Sequence, residues 1–223
     1  AQGAVYVYTR TGTTWVQEAY IKSSNGEARD SFGNSVALHN NTLAVAANYE
    51  DSNQTTITYG SSASNDNSQS ASGAIYIFER TGSSWAQTAY IKRAVNDAND
   101  GFGASVILTE NRLIVGGNGE SSNQRTITHG TSASTNNDAA GSGAVYVFQL
   151  TGTTWAQEAY IKTSNADAGD TIGMDTAFSD KTLVLGSYYE DSNQTSITYG
   201  TNASSDNTNE NSGAVYVISL TGE

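Results

Sequence analysis

Carboxylates spaced three residues apart recur three times along the chain, as Glu27 and Asp30 in EARD, Asp97 and Asp100 in DAND, and Asp167 and Asp170 in DAGD. Two carboxylates so placed in a loop can ligate Ca²⁺, a hard cation that takes about six to eight oxygens, provided backbone carbonyls complete the shell. The same spacing lets the second Asp accept backbone N–H bonds and cap a turn. We take the turn cap as the leading expectation and calcium as the alternative.

A second constellation repeats as YEDSNQ, GESSNQ and YEDSNQ, which sets Glu50, Glu120 and Glu190 beside Asn53, Asn123 and Asn193. Acid and amide groups in a long polar loop can contact a ligand, and a loop that hydrogen-bonds to itself has the same composition. Tyr49, Tyr59, Tyr189 and Tyr199 lie in these loops. They are the expected exposed contacts for a glycan or protein ligand. Trp15, Trp85 and Trp155 are expected in the core instead of on a sugar platform. Trp15, Gln17, Ala19 and Ile21 alternate with Val16, Glu18, Tyr20 and Lys22 in the period of a strand with one wet face, and the tryptophan stands on the apolar side. Catalysis converges several residue types on one pocket. Here the two histidines, His39 and His129, fall at different phases of the repeat, with no nucleophile elbow or helical zinc motif beside them. The expectation is a protein that is not an enzyme.

These groups are carried on a strict repeat. Gly3, Gly73, Gly143 and Gly213 are 70 residues apart, as are the three tryptophans and Gly33, Gly103 and Gly173. The units run 3–72, 73–142 and 143–212, and residues 213–223 are an extra copy of the first segment. Each unit reads as four short strands and a long polar loop. GAVYVYTR and its counterparts are apolar at nearly every position, which predicts a strand buried on both faces. FGNSVALH and TLAVAA, joined by a polar turn at Asn40, have hairpin spacing. There is no proline and no helical periodicity. The fold class predicted is all-β, with propeller-type blades in three 70-residue repeats of about four antiparallel strands each.

With those segments in place, the pattern resembles the FG-GAP repeats of bacterial secreted and surface proteins, relatives of the blades of the integrin α-subunit propeller. The carrying residues are Phe32-Gly33 and Phe102-Gly103, the SVAL and SVIL strands behind them, and LAVAAN, LIVGGN and LVLGSY where the family writes GAP. Ile172 stands where the third unit would have its Phe, and the proline of GAP is missing throughout. The resemblance implies a propeller fold and a secreted or cell-surface protein. Integrin blades hold calcium in an Asp-rich turn between the FG and GAP strands. The turns here, LHNNT, LTENR and FSDKT, lack that motif, so calcium is not carried over.

With 22 acidic and 10 basic residues the chain has a net charge of -12, which repels phosphate backbones and argues against nucleic acid as a partner. No apolar run approaches the roughly 20 residues of a membrane span. Three units are too few to close a propeller, which usually has about four to eight blades. The opening strand (Gly3, Val5, Tyr6, Val7) and the closing one (Gly213, Val215, Tyr216, Val217) occupy one phase, so one copy is surplus. An unpaired apolar strand invites another chain. The expected role is therefore non-enzymatic self-association, possible head-to-tail fibre formation and adhesion; the alternative is a ligand-binding propeller, calcium-assisted or not.

Overall fold

The structure, a computed structural model, describes residues 2–220, and among them there are fifteen strands and no helix. The end of the extra copy, 221–223, lies outside the described residues. Strands β1 (Val5–Thr11) and β2 (Thr14–Ile21) form a two-stranded sheet. The second sheet joins β3 (Val36–His39) and β4 (Thr42–Ala47) of the first repeat to β6 (Ala74–Thr81) and β7 (Ser84–Ile91) of the next, with the short β5 (Thr58–Tyr59) outside β7. The third sheet repeats this with β8 (Phe102–Leu108), β9 (Arg112–Gly117), β11 (Ala144–Thr151), β12 (Thr154–Ile161) and, outside β12, β10 (Thr128–His129). The fourth stops at three strands, β13 (Asp175–Ser179), β14 (Thr182–Ser187) and β15 (Ala214–Ser219).

The blade frame is thus offset from the repeat frame. A blade takes its FG and GAP strands from one repeat and its GAVYV and Trp strands from the following one. The inner hairpins form as the sequence predicts, with Asn40 and Asp180 at φ 53° and 57° in turns that favour such residues. The central GAVYV-type strands β6 and β11 are buried along their first five residues, as expected for strands covered on both faces.

The Trp strand departs from the predicted alternation. Phe78 pairs with Gln87 and Ile77 with Ala89, which leaves Thr88 as a bulge, and the same shift recurs in the first and third sheets. An extra residue reverses the face on which later side chains fall. Trp85 therefore shares a face with Tyr76, Phe78 and Tyr90, whereas Ala89 and Ile91 turn to the other with Ile75 and Ile77.

Each blade consequently has an aliphatic face and an aromatic one, and the blades stack one kind on the other. Ala44, Ala46, Ile75, Ile77, Ala89 and Ile91 pack against Phe102, Tyr146, Phe148, Trp155 and Tyr160 of the next blade. Similar cores join the first sheet to the second through Val5, Val7 and Ile21, and the third to the fourth through Val145, Val147 and Ile161. The stack does not close, because the first and last sheets share neither strand pairing nor a core cluster among the described residues.

An open stack corrects the expectation that the three tryptophans are buried alike. Trp155, packed on a full blade, is 5% exposed, while Trp15 is 64% exposed, with Trp85 between them. Among the described residues no blade covers the face that carries Trp15. In single-tryptophan variants made with Trp→Phe replacements, acrylamide should quench Trp15 strongly and Trp155 weakly in dilute solution. Equal quenching would contradict the stacking order.

Candidate functional site: the open ends of the blade stack

Within each full blade, the strands contributed by two successive repeats are joined by a buried polar lock that the sequence motifs build twice. Glu50 accepts hydrogen bonds from Lys92 Nζ at 3.1 Å and Tyr90 Oη at 2.9 Å, and Lys92 also donates to Ser72 Oγ and the Gly73 carbonyl, both at 2.7 Å. One repeat later, Lys162 donates to Glu120 at 2.8 Å, Ser142 Oγ at 2.6 Å and the Gly143 carbonyl at 2.8 Å. Both lysines are buried. Burial pushes Lys92 down to about 8, against the upward pull of Glu50, and lowers Lys162 in the same way against Glu120.

Glu50, Glu120 and Glu190, expected as ligand contacts on loops, are therefore corrected to interior residues. The lysines were overlooked, although the YIK triplets ending at Lys22, Lys92 and Lys162 keep the same 70-residue spacing. Tyr49, Tyr189 and Tyr199 are exposed on loops, and Tyr59, placed by the structure in the short strand β5, is exposed as well. Tyr59 also ties two blades together, since its hydroxyl donates to the Trp155 carbonyl at 3.2 Å and accepts from the Trp155 N–H at 3.0 Å.

The paired acids behave as turn caps. Asp30, Asp100 and Asp170 are buried and accept N–H bonds from Glu27, Asp97 and Asp167 at 2.6, 3.2 and 2.8 Å. The first members point elsewhere: Glu27 accepts from Asn67 at 2.7 Å and Asp167 pairs with Arg125 at 2.5 Å. Among the described residues no three Asp, Glu or His side chains converge as metal ligands.

Burial pushes Asp170 up to about 6, against the lowering N–H bond from Asp167, and Asp100 up to about 6 despite the Arg93 guanidinium beside it. A carboxyl raised on folding holds its proton more tightly in the native state. Its stabilisation is full below the unfolded value near 3.8 and is lost as pH rises through about 6. Urea midpoints of the native chain should fall across that window, and Asp170→Asn should flatten part of the fall. An unchanged slope in the variant would show that Asp170 is not the group responsible.

A second lock is made of backbone. Gly3 and Gly143 form parallel bridges with Phe32 and Ile172, and the FG residues donate their N–H groups to the carbonyls of Gln2, Ser72 and Ser142 at 3.1, 3.2 and 3.1 Å. Ile172 thus does the work of the missing Phe.

At the two ends these devices are half built. Glu190 is 2% exposed, and accepts from Asn165 at 2.9 Å and from the Ser192 hydroxyl at 2.9 Å, but it has no lysine among the described residues. Lys22, at the opposite end, donates to the Gly3 carbonyl and has no carboxylate partner among them. Gly213 meets no FG backbone; a Cβ there would find nothing nearer than 3.5 Å.

The end sheets are open on opposite faces. At the first sheet Val5 and Val7 pack inward, whereas Tyr6, Tyr8, Trp15 and Tyr20 stand exposed. At the last, Tyr216 and Ile218 pack inward and Val215 and Val217 are each 69% exposed. Beside β15, where the other blades have their Trp strand, a groove of about 1050 Å³ runs between Ala214–Ile218 and the loop carrying Gln194, Ile197 and Tyr199.

A family model described as FG-GAP repeat matches residues 15–78. That span runs from the Trp strand of the first sheet to the central strand of the second, and so includes one complete FG-GAP hairpin. No curated protein matches the chain.

Proposed function

We propose that this chain, whose residues 15–78 match an FG-GAP repeat model and whose strands form propeller-like blades, is an extracellular, non-catalytic assembly and adhesion module whose copies join head to tail. The observation that carries this reading is the complementarity of the open ends. One end offers an aromatic face and an unpaired lysine, and the other offers an aliphatic face and a buried glutamate without a cation. Such faces are already matched inside the molecule at every blade junction. A contact between unlike ends is heterologous, so it produces a closed ring or an open filament according to the rotation per subunit. Among the described residues no helix is long and apolar enough to cross a membrane.

Sedimentation equilibrium over a wide concentration range tests the reading. The average mass should rise above 23.4 kDa with concentration, and Val217→Lys, which puts a charge on the exposed aliphatic face, should hold the chain as a monomer. A native chain that remains monomeric throughout would overturn self-association. The exposed loop tyrosines would then become the leading candidates for contact with a glycan or protein.

A further inference from the structure

We propose that the groove beside β15 is a strand-binding site for residues Thr14–Ile21 of a second copy, with Lys22 of that copy completing the carboxylate socket at Glu190. This deepens the self-association reading and rests on it. The internal blades supply the template. In the third sheet β11 pairs with the Trp strand β12 through Val145 with Ile161, Tyr146 with Tyr160 and Val147 with Ala159. Moved along by one repeat, that register sets Val215, Tyr216 and Val217 against Ile21, Tyr20 and Ala19 of the second copy.

The socket then follows residue by residue. Tyr90 and Lys92 meet Glu50, while Lys162 meets Glu120, in each case together with the serine and glycine that precede the central strand. Glu190, Ser212 and Gly213 are the third set. Ser212 Oγ already donates to the carbonyls of Glu190 and Ser192 at 3.2 and 2.6 Å, as Ser72 and Ser142 do in theirs. The ammonium and the tyrosine hydroxyl of the Trp strand are what this set lacks.

Within its own chain β2 is paired with β1, so the incoming strand must leave β1 behind. Residues 3–7 and 213–217 are the same sequence, GAVYV. Exchange of β1 for β15 therefore replaces those pairings by near-identical ones, as in domain swapping. The net gain comes from what the exchange newly covers. Trp15 and Tyr20 of the second copy come to lie where Trp155 and Tyr160 lie in the third sheet. Val215 and Val217 come to face Val36 and Leu38 of the second copy, both exposed in the single chain, whose counterparts Val106 and Leu108 are buried. Gly213 takes the place of Gly3 against Phe32.

Cross-linking of the full chain tests the register. It has no native cysteine, so Ala19→Cys and Val217→Cys can be made in separate preparations and mixed under mild oxidation. A disulfide-linked heterodimer is expected from the mixture, with far less homodimer from either alone. In parallel, Lys22→Met and Glu190→Gln should each weaken association at least tenfold in sedimentation velocity. Glu190→Gln should leave the melting temperature of the dilute chain undiminished, because no cation depends on it there. Acrylamide quenching of Trp15 should fall as the native chain associates. A native chain that stays monomeric sinks this proposal and the assembly reading together. A native chain that associates with no 19–217 cross-link and no loss in the Lys22 and Glu190 variants sinks only the strand exchange.

Discussion

Glu120→Gln is expected to lower the unfolding free energy by about 3–5 kcal/mol at neutral pH, the usual cost of breaking a buried ion pair by removing one partner. Glu120 is the one carboxylate within reach of Lys162 Nζ among the described residues, and both groups are buried. Gln is close in shape, so the loss is electrostatic and the cavity unchanged. The lysine left behind is charged, desolvated and held only by Ser142 Oγ and the Gly143 carbonyl. Two further results identify this cause. Lys162→Met in the Glu120→Gln background should recover much of the loss, since a neutral pair of similar volume avoids the charge burial altogether. The single variant should also regain stability as pH rises toward 10. The native Lys162 is already depressed by burial and is depressed further without Glu120, so its contribution is present above the unfolded value of 10.5 and lost as pH falls. Urea unfolding of the three chains, native, Glu120→Gln and the double variant, at pH 7 and pH 9.5 reads both. A loss of under about 1 kcal/mol at pH 7, the range of a surface pair, would show that the lock is wetter than the structure has it.

The contrast between the two buried glutamates shows what the sequence could and could not reveal. Glu120 and Glu190 sit at one phase of a strict repeat and look alike on the page, so both read as loop acids. Their environments differ because Lys162 lies 42 residues beyond Glu120, across the repeat boundary, and a partner at that remove shows in recurrence but not in local pattern. The all-β class, the hairpins and the twice-covered central strands were legible, since each follows from apolar runs, turn residues and spacing within a few positions. Trp15 was misread for two separate reasons. Alternation along its strand hides a bulge, which costs one residue and reverses a face. Its exposure, moreover, depends on a neighbour blade that the periodicity takes for granted. Asp30, Asp100 and Asp170 each accept the backbone N–H three residues earlier, a local bond of the kind that a three-residue spacing makes legible.

Gly73→Val should be comparably damaging, and it tests the backbone lock without touching a charge. Gly73 has φ 84°, and a Cβ built on it would lie 2.1 Å from the carbonyl oxygen of Phe102 on the adjoining blade. That neighbour is backbone anchored by its own N–H bond to the Ser72 carbonyl at 3.2 Å, so it cannot swing aside as a side chain would. Holding a branched residue at left-handed angles costs about 1–3 kcal/mol, and forcing the blades apart adds about 1–3 kcal/mol of overpacking strain. A total of about 2–6 kcal/mol is expected from urea unfolding. Gly213→Ala separates the two contributions. Gly213 has φ 76° but meets nothing within 3.4 Å, so its variant should lose only about 1 kcal/mol of backbone strain in the dilute single chain. In the strand-exchanged assembly the same methyl would be driven against Phe32 of the second copy. Gly213→Ala should accordingly weaken association far more than it weakens folding. Equal effects on the two would mean that Gly213 stays at an open end when copies join.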